Sequence, residues 1–201
     1  MPRAQPPTHR PFWMVVLAAT MLLFGGQTLI EGLLTVRDPK AIVRLATRTQ
    51  TRTPQEDETQ RKLEPIRDAI VDRHRAALRA DAVASIAIGL FVLYATAAVL
   101  ARDPNGRRLA LITAVVGIAF HAGSVLLWVR MAKETVDAAG PLLSEIAANA
   151  AHAAGRSSSQ LATAVVARPP LFAAVWIGWC VLLLVYFGGR NGRELYGLRR
   201  G

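Results

Sequence analysis

Cysteine is almost missing from this chain: Cys180 is the only one in 201 residues. No disulfide can form within it, which excludes a disulfide-stapled scaffold. Histidine is thinly spread as His9, His74, His121 and His152, with no helical pair of the kind that holds zinc. His74, inside Asp72-Arg73-His74-Arg75, reads as a solvated member of a charged helix face. The patterns H-E-x-x-H, C-x-x-C, G-x-S-x-G and G-x-x-x-x-G-K-[ST] are all lacking, so hydrolytic, redox and phosphate-loop chemistry finds no anchor. The glycine-rich Gly188-Gly189-Arg190-Asn191-Gly192 follows no strand and reads as a span exit rather than a nucleotide loop. No catalytic residue, cofactor or metal is expected.

Charge of one sign is also short. There are 14 Asp plus Glu against 24 Lys plus Arg, a formal net charge of +10. Nucleic-acid binding would need that charge gathered on one compact basic fold. Here the basic residues flank apolar blocks, where anionic lipid headgroups are the fitting partner.

Hydrophobic residues are abundant, 52% of the chain, and they come in long runs, which excludes disorder for most of it. Four runs approach or exceed the roughly 20 residues a helix needs to cross a bilayer: Phe12 to Val36, Ala82 to Ala101, Leu109 to Met131, and Leu171 to Gly188. None alternates with period two, so barrel strands are excluded and helices expected. In the fourth, Trp176, Trp179 and Tyr186 suit the interfacial preference of aromatic side chains. A secretory signal competes for the first run, because Arg3 and Arg10 precede it. That run outlasts a usual signal core and no A-x-A site follows, so it is read as a retained anchor.

The spans divide the chain into a basic N-terminal tail (1–11), transmembrane helix 1 (12–36), a charged amphipathic connection (37–81), helix 2 (82–101), a tight basic turn (102–108), helix 3 (109–131), an Ala-rich connection (132–170), helix 4 (171–188) and a basic C-terminal tail (189–201). Asp103, Pro104, Asn105 and Gly106 are turn formers, so helices 2 and 3 should form an antiparallel hairpin. The expected fold is all-α: a four-helix transmembrane protein with a helical extramembrane cap formed by the two long connections. No residue-level repeat links the halves. Basic residues number nine in the termini and turn and fourteen in the long connections. The nine are far denser, and the positive-inside rule counts short flanks. Both termini are therefore expected in the cytoplasm, and Ala and Arg richness points to a bacterial inner membrane.

Thr53-Pro54-Gln55-Glu56 carries the signature of a helix start, with a cap, a first-turn proline and a capping-box glutamate. Pairs at helical spacing follow, Asp57 with Arg61 and Glu58 with Lys62. Leu63, Ile66, Ile70, Ala77 and Leu78 then make one apolar stripe on a charged helix, a stripe that needs a partner. Pro65 should bend or restart this helix, and nothing from Ile66 to Ala101 would interrupt it. The segment Lys40 to Gln50 is basic and amphipathic, able to pack on its neighbour or lie at headgroups. Past Gly140-Pro141, Leu142 to Ala151 forms a small-residue helix, Gly155 to Ser159 a break, and Leu161 to Val166 a short apolar stretch.

Polar groups inside spans are the candidate site, because charge in hydrocarbon is costly and usually functional or paired. Gln27 and Glu31 share a face of the first span, Ser85 lies in the second, and His121 and Ser124 share a face of the third. If these faces converge they form one intramembrane polar network, of which Glu31 and His121 are the titratable members. Asp81 and Arg130 form a candidate interfacial ion pair. Two functions follow. The first is a non-enzymatic multi-pass protein that binds a partner protein or itself through its extramembrane helices and span faces. The second is a small transporter or channel component with a Glu31/His121 network. A neutral His121 bonded to a neighbouring helix is the simpler alternative to a proton relay.

Overall fold

The computed structural model describes residues 12–40, 54–154 and 168–189, with Gly192 and Tyr196; the side chains of 54–60, 142–154 and 168–173 are not among those described. The Thr53 cap, the Asp57 and Glu58 pairings, the segment 41–50, the side chains of Leu142 to Ala151, the break at Gly155 to Ser159 and the stretch Leu161 to Val166 lie outside the described set. So do His9, the His152 side chain and most of both tails.

The described residues are helical, with no strand among them. They form α1 (Phe12–Arg37), α2 (Pro54–Arg73), α3 (Arg75–Leu100), α4 (Gly106–Ala154) and α5 (Arg168–Gly188). Helices α1 and α3, and the Gly106–Pro141 part of α4, are long and apolar enough to cross a membrane, which makes the chain compatible with an integral membrane protein. The described apolar part of α5, Ala174–Gly188, is shorter.

The turn after α3 behaves as its residues dictate. The amide of Asp103 donates to the carbonyl of Ala98 (2.9 Å) and that of Arg102 to Val99 (3.1 Å), the paired closure of a Schellman motif. Arg102 holds the left-handed position with φ of 55°. The Asp103 carboxylate accepts the Asn105 amide at 2.7 Å, and α4 begins one residue later. Arg107 then donates from Nε to the Phe187 carbonyl at 2.7 Å, satisfying an acceptor at the end of α5.

Proline interrupts less than its chemistry suggests. Helix α2 begins at Pro54 and passes through Pro65 without restarting. Helix α4 runs 49 residues through Pro141, past the span end expected at Met131 and into the segment expected to start a separate helix after Pro141. An interior proline removes a single i→i−4 bond, and the Ala-rich chain around Pro141 is strongly helix-forming. The interruption falls instead at His74, between α2 and α3. Even there the ladder persists: the His74 amide donates to Ile70 (3.0 Å) and the His74 carbonyl accepts from Leu78 (2.9 Å).

Two compact units divide the chain. The first comprises Met1–Leu33, Val83–His121 and Val175–Gly201. Its core takes Met14, Ala18 and Met21 from α1, Val92, Ala95 and Val99 from α3, Ala110 and Ala114 from α4, and Trp176, Cys180, Leu183 and Phe187 from α5. Those α5 positions recur every three or four residues, one stripe of a helix that is apolar all round. Trp176 and Trp179 are therefore core residues, 2% and 7% exposed, and not interfacial aromatics. Glycines let α1 and α3 approach closely: a β-carbon on Gly89 would lie 2.8 Å from the Leu29 amide nitrogen and 2.9 Å from the Gly25 carbonyl oxygen. Opposite faces leave Leu23, Val115 and Val185 exposed, as lipid-facing surfaces do.

The second unit comprises Leu34–Ala82 and Ala122–Ala174. Here the apolar stripe that runs from α2 into α3 finds its partner, because Ile70, Val71 and Leu78 pack with Met131, backed by Ile66, Leu127 and Trp128. Leu63 is also buried, whereas Ala77 is exposed.

Candidate functional site

In the first unit, Gln27 and Glu31 stand one helical turn apart on α1, and the Gln27 amide donates to the Glu31 carboxylate at 2.9 Å. Glu31 is exposed, and the adjoining face of α1 carries Leu23 and Ile30, 71% and 58% exposed. His121 is in the opposite situation. It is 9% exposed, its ring lies 4.4 Å from that of Trp176 at 32°, and its Nε2 has no hydrogen-bond partner among the described residues. Trp176 also meets Phe24 (4.4 Å) and Trp179 (5.6 Å), and Phe120 lies 5.2 Å from the His121 ring, so His121 sits within an aromatic cluster. The cluster is fixed by one polar link that sequence spacing could not reveal: Trp179 donates from Nε1 to the Thr20 hydroxyl at 3.0 Å, and that hydroxyl donates to the Leu17 carbonyl at 2.8 Å. Ser85 is buried. Gln27 and Glu31 are thus brought together, and His121 is bonded to neither.

In the second unit, the Ser124 hydroxyl donates to the Asp81 carboxylate. Arg130, expected to partner Asp81, instead donates to Glu134 on its own helix at 3.3 Å; four residues apart, the two face each other on α4. Glu134 collects two further partners across the unit, His74 at 3.0 Å and Arg73 at 3.4 Å. The His74 side chain is only 11% exposed, which corrects its reading as a solvated residue: at the junction of α2 and α3 it meets Glu134 of α4. A second cluster gathers on Lys40, whose ammonium donates to Asp72 at 2.8 Å and lies 3.7 Å from Asp68. The Asp72 hydrogen bond, aided by the charge of Asp68, holds the Lys40 ammonium above its ordinary pKa.

Glu134, His74, Lys40 and Asp72 carry no sequence signal that singles them out as site residues. The Arg130 to Glu134 spacing is legible; contacts spanning 60 and 32 residues are not. No group of three or more His, Cys, Asp or Glu among the described residues could hold a metal ion. The chemistry on offer is hydrogen bonding and ion pairing that fixes helices, together with one polar pair facing outward from an apolar helix. No family model, curated protein or solved structure matches this chain.

Proposed function

We propose that this chain is a four-span membrane protein that works by binding, not catalysis, and that the surface it uses is the outward face of α1, occupied by a second copy of itself. The observation that carries this reading is the bonded Gln27–Glu31 pair, Gln27 half-buried and Glu31 exposed, beside exposed Leu23 and Ile30. An acidic residue in a span costs on the order of 3 kcal/mol at mid-membrane on insertion scales, and such groups face protein or water far more often than lipid. A carboxamide beside a carboxylate is self-complementary: the amide has a second N–H and a carbonyl to offer, and the carboxylate accepts. A two-fold contact would let the carboxamide of each copy donate to the carboxylate of the other. In this reading α5 completes a fourth crossing, the connections at 37–81 and 132–170 form a helical cap, and both termini face the cytoplasm of a bacterial cell.

The test is cross-linking in native membranes. Cys180 is fully buried and silent, so an Ile30→Cys variant reports on this face alone. A dimer band is expected, and it should fade when Gln27→Leu and Glu31→Leu are added. A chain that stays uncross-linked and elutes as a monomer in mild detergent overturns the proposal.

A further inference from the structure

A cleft of about 230 Å³ opens where the second unit joins the end of α1 to the helix pair α2 and α3, and its walls carry Arg37, Lys40 and Arg75 with Asp72, over Pro39 and Val71. Its charges are not equivalent. Lys40 is engaged by Asp72 and Asp68, while Asp38 accepts the Lys40 backbone amide at 2.9 Å. Arg37 and Arg75 make no ion pair with any described residue. Two guanidiniums therefore line a cleft in which Asp72 is already paired with Lys40 and Asp38 is bonded to the Lys40 amide.

The chemistry that fits two such forks is a phosphate group, which guanidinium binds through paired N–H donors. Position in the sequence indicates which phosphate. Arg37 is the charge that closes the apolar run of α1, and Arg75 lies about two turns before the apolar run of α3 begins. Both belong at the level of lipid headgroups, and the Pro39 and Val71 floor offers apolar contact to a glycerol backbone. We infer that Arg37 and Arg75 bind the phosphate of an anionic phospholipid headgroup, with Lys40 holding the aspartates out of its way. This rests on the membrane reading but not on self-association through α1.

The experiment uses the full chain in nanodiscs of phosphatidylcholine alone or with added phosphatidylglycerol. Lipid retained after extraction is read by native mass spectrometry, and thermal stability is read in parallel. Phosphatidylglycerol should be retained and should raise the melting temperature. The pair Arg37→Gln and Arg75→Gln should weaken retention about tenfold or more, as loss of charge-assisted contacts implies. Arg37→Lys with Arg75→Lys keeps the charge and should lose less, while Arg61→Gln, on exposed α2 surface away from the cleft and the span ends, should change nothing. Inorganic phosphate in phosphatidylcholine discs distinguishes the source: protection equal to that of the lipid overturns the headgroup assignment. Equal lipid retention by wild type and the double glutamine variant overturns the site. Carbonate extraction of each variant checks membrane insertion separately, and the α1 cross-linking result stands independently of all these outcomes.

Discussion

Gly89 has no space for a side chain, because the backbone of α1 occupies it. Gly89→Ala should therefore force α1 and α3 apart and cost about 1–3 kcal/mol, the usual range for overpacking. Gly26→Ala, on open surface, should be neutral or slightly stabilising because alanine is the better helix former. Unfolding of the two variants in mixed micelles separates these outcomes; equal midpoints would refute the close crossing. Arg102 presents the reverse case, a side chain in the left-handed region that costs roughly 1–2 kcal/mol. Arg102→Gly should recover part of this, visible as a higher melting temperature. Lys40 gives a pH dependence with a definite sign. Its folded pKa is raised above 10.5 by Asp72, so its contribution is complete below that value and lost only as pH climbs through the higher folded one. The difference in melting temperature between wild type and Lys40→Met should be constant at neutral pH and shrink only at strongly alkaline pH.

Among the elements, α2 and α4 show propensity overriding punctuation. Pro65 is exposed inside α2, where it forfeits a backbone bond without a core role. Pro65→Ala should stabilise α2 by about 1–3 kcal/mol, partly offset by a freer unfolded chain, and slower amide exchange around Arg61 would report it. Glu134 ties α4 to α2 through Arg73 and His74, so Glu134→Ala should speed exchange in the last turns of α2 while leaving α1 untouched. The apolar stripe on α2 is legible in the sequence because charged residues surround it and period stands out against them. In α1 and α5 nearly every position is apolar, so no stripe marks the buried face. That is why Trp176 and Trp179 read as interfacial residues yet belong to the core.

For the whole molecule, transport through Glu31 and His121 would require a connected polar route. One of these groups is exposed and bonded to Gln27, and the other is packed against Trp176. Glu31→Gln and His121→Ala should therefore leave proton flux in reconstituted vesicles at the wild-type level; loss of flux in either would restore the relay. The amino-acid order alone determined that the described residues are helical, that three of the four apolar runs make helices of membrane-spanning length, and that Asp103 to Gly106 makes a tight turn, since propensity, run length and turn chemistry act over a few residues. Only the tertiary structure decided which face of each apolar helix is buried. It likewise decided that Ser124 bonds to Asp81, that Arg130 turns to Glu134, and that His74 joins Glu134 across 60 residues. Those outcomes depend on how helix faces pack against one another, and a helix that is apolar on every side carries no local signal of the face its neighbours will cover.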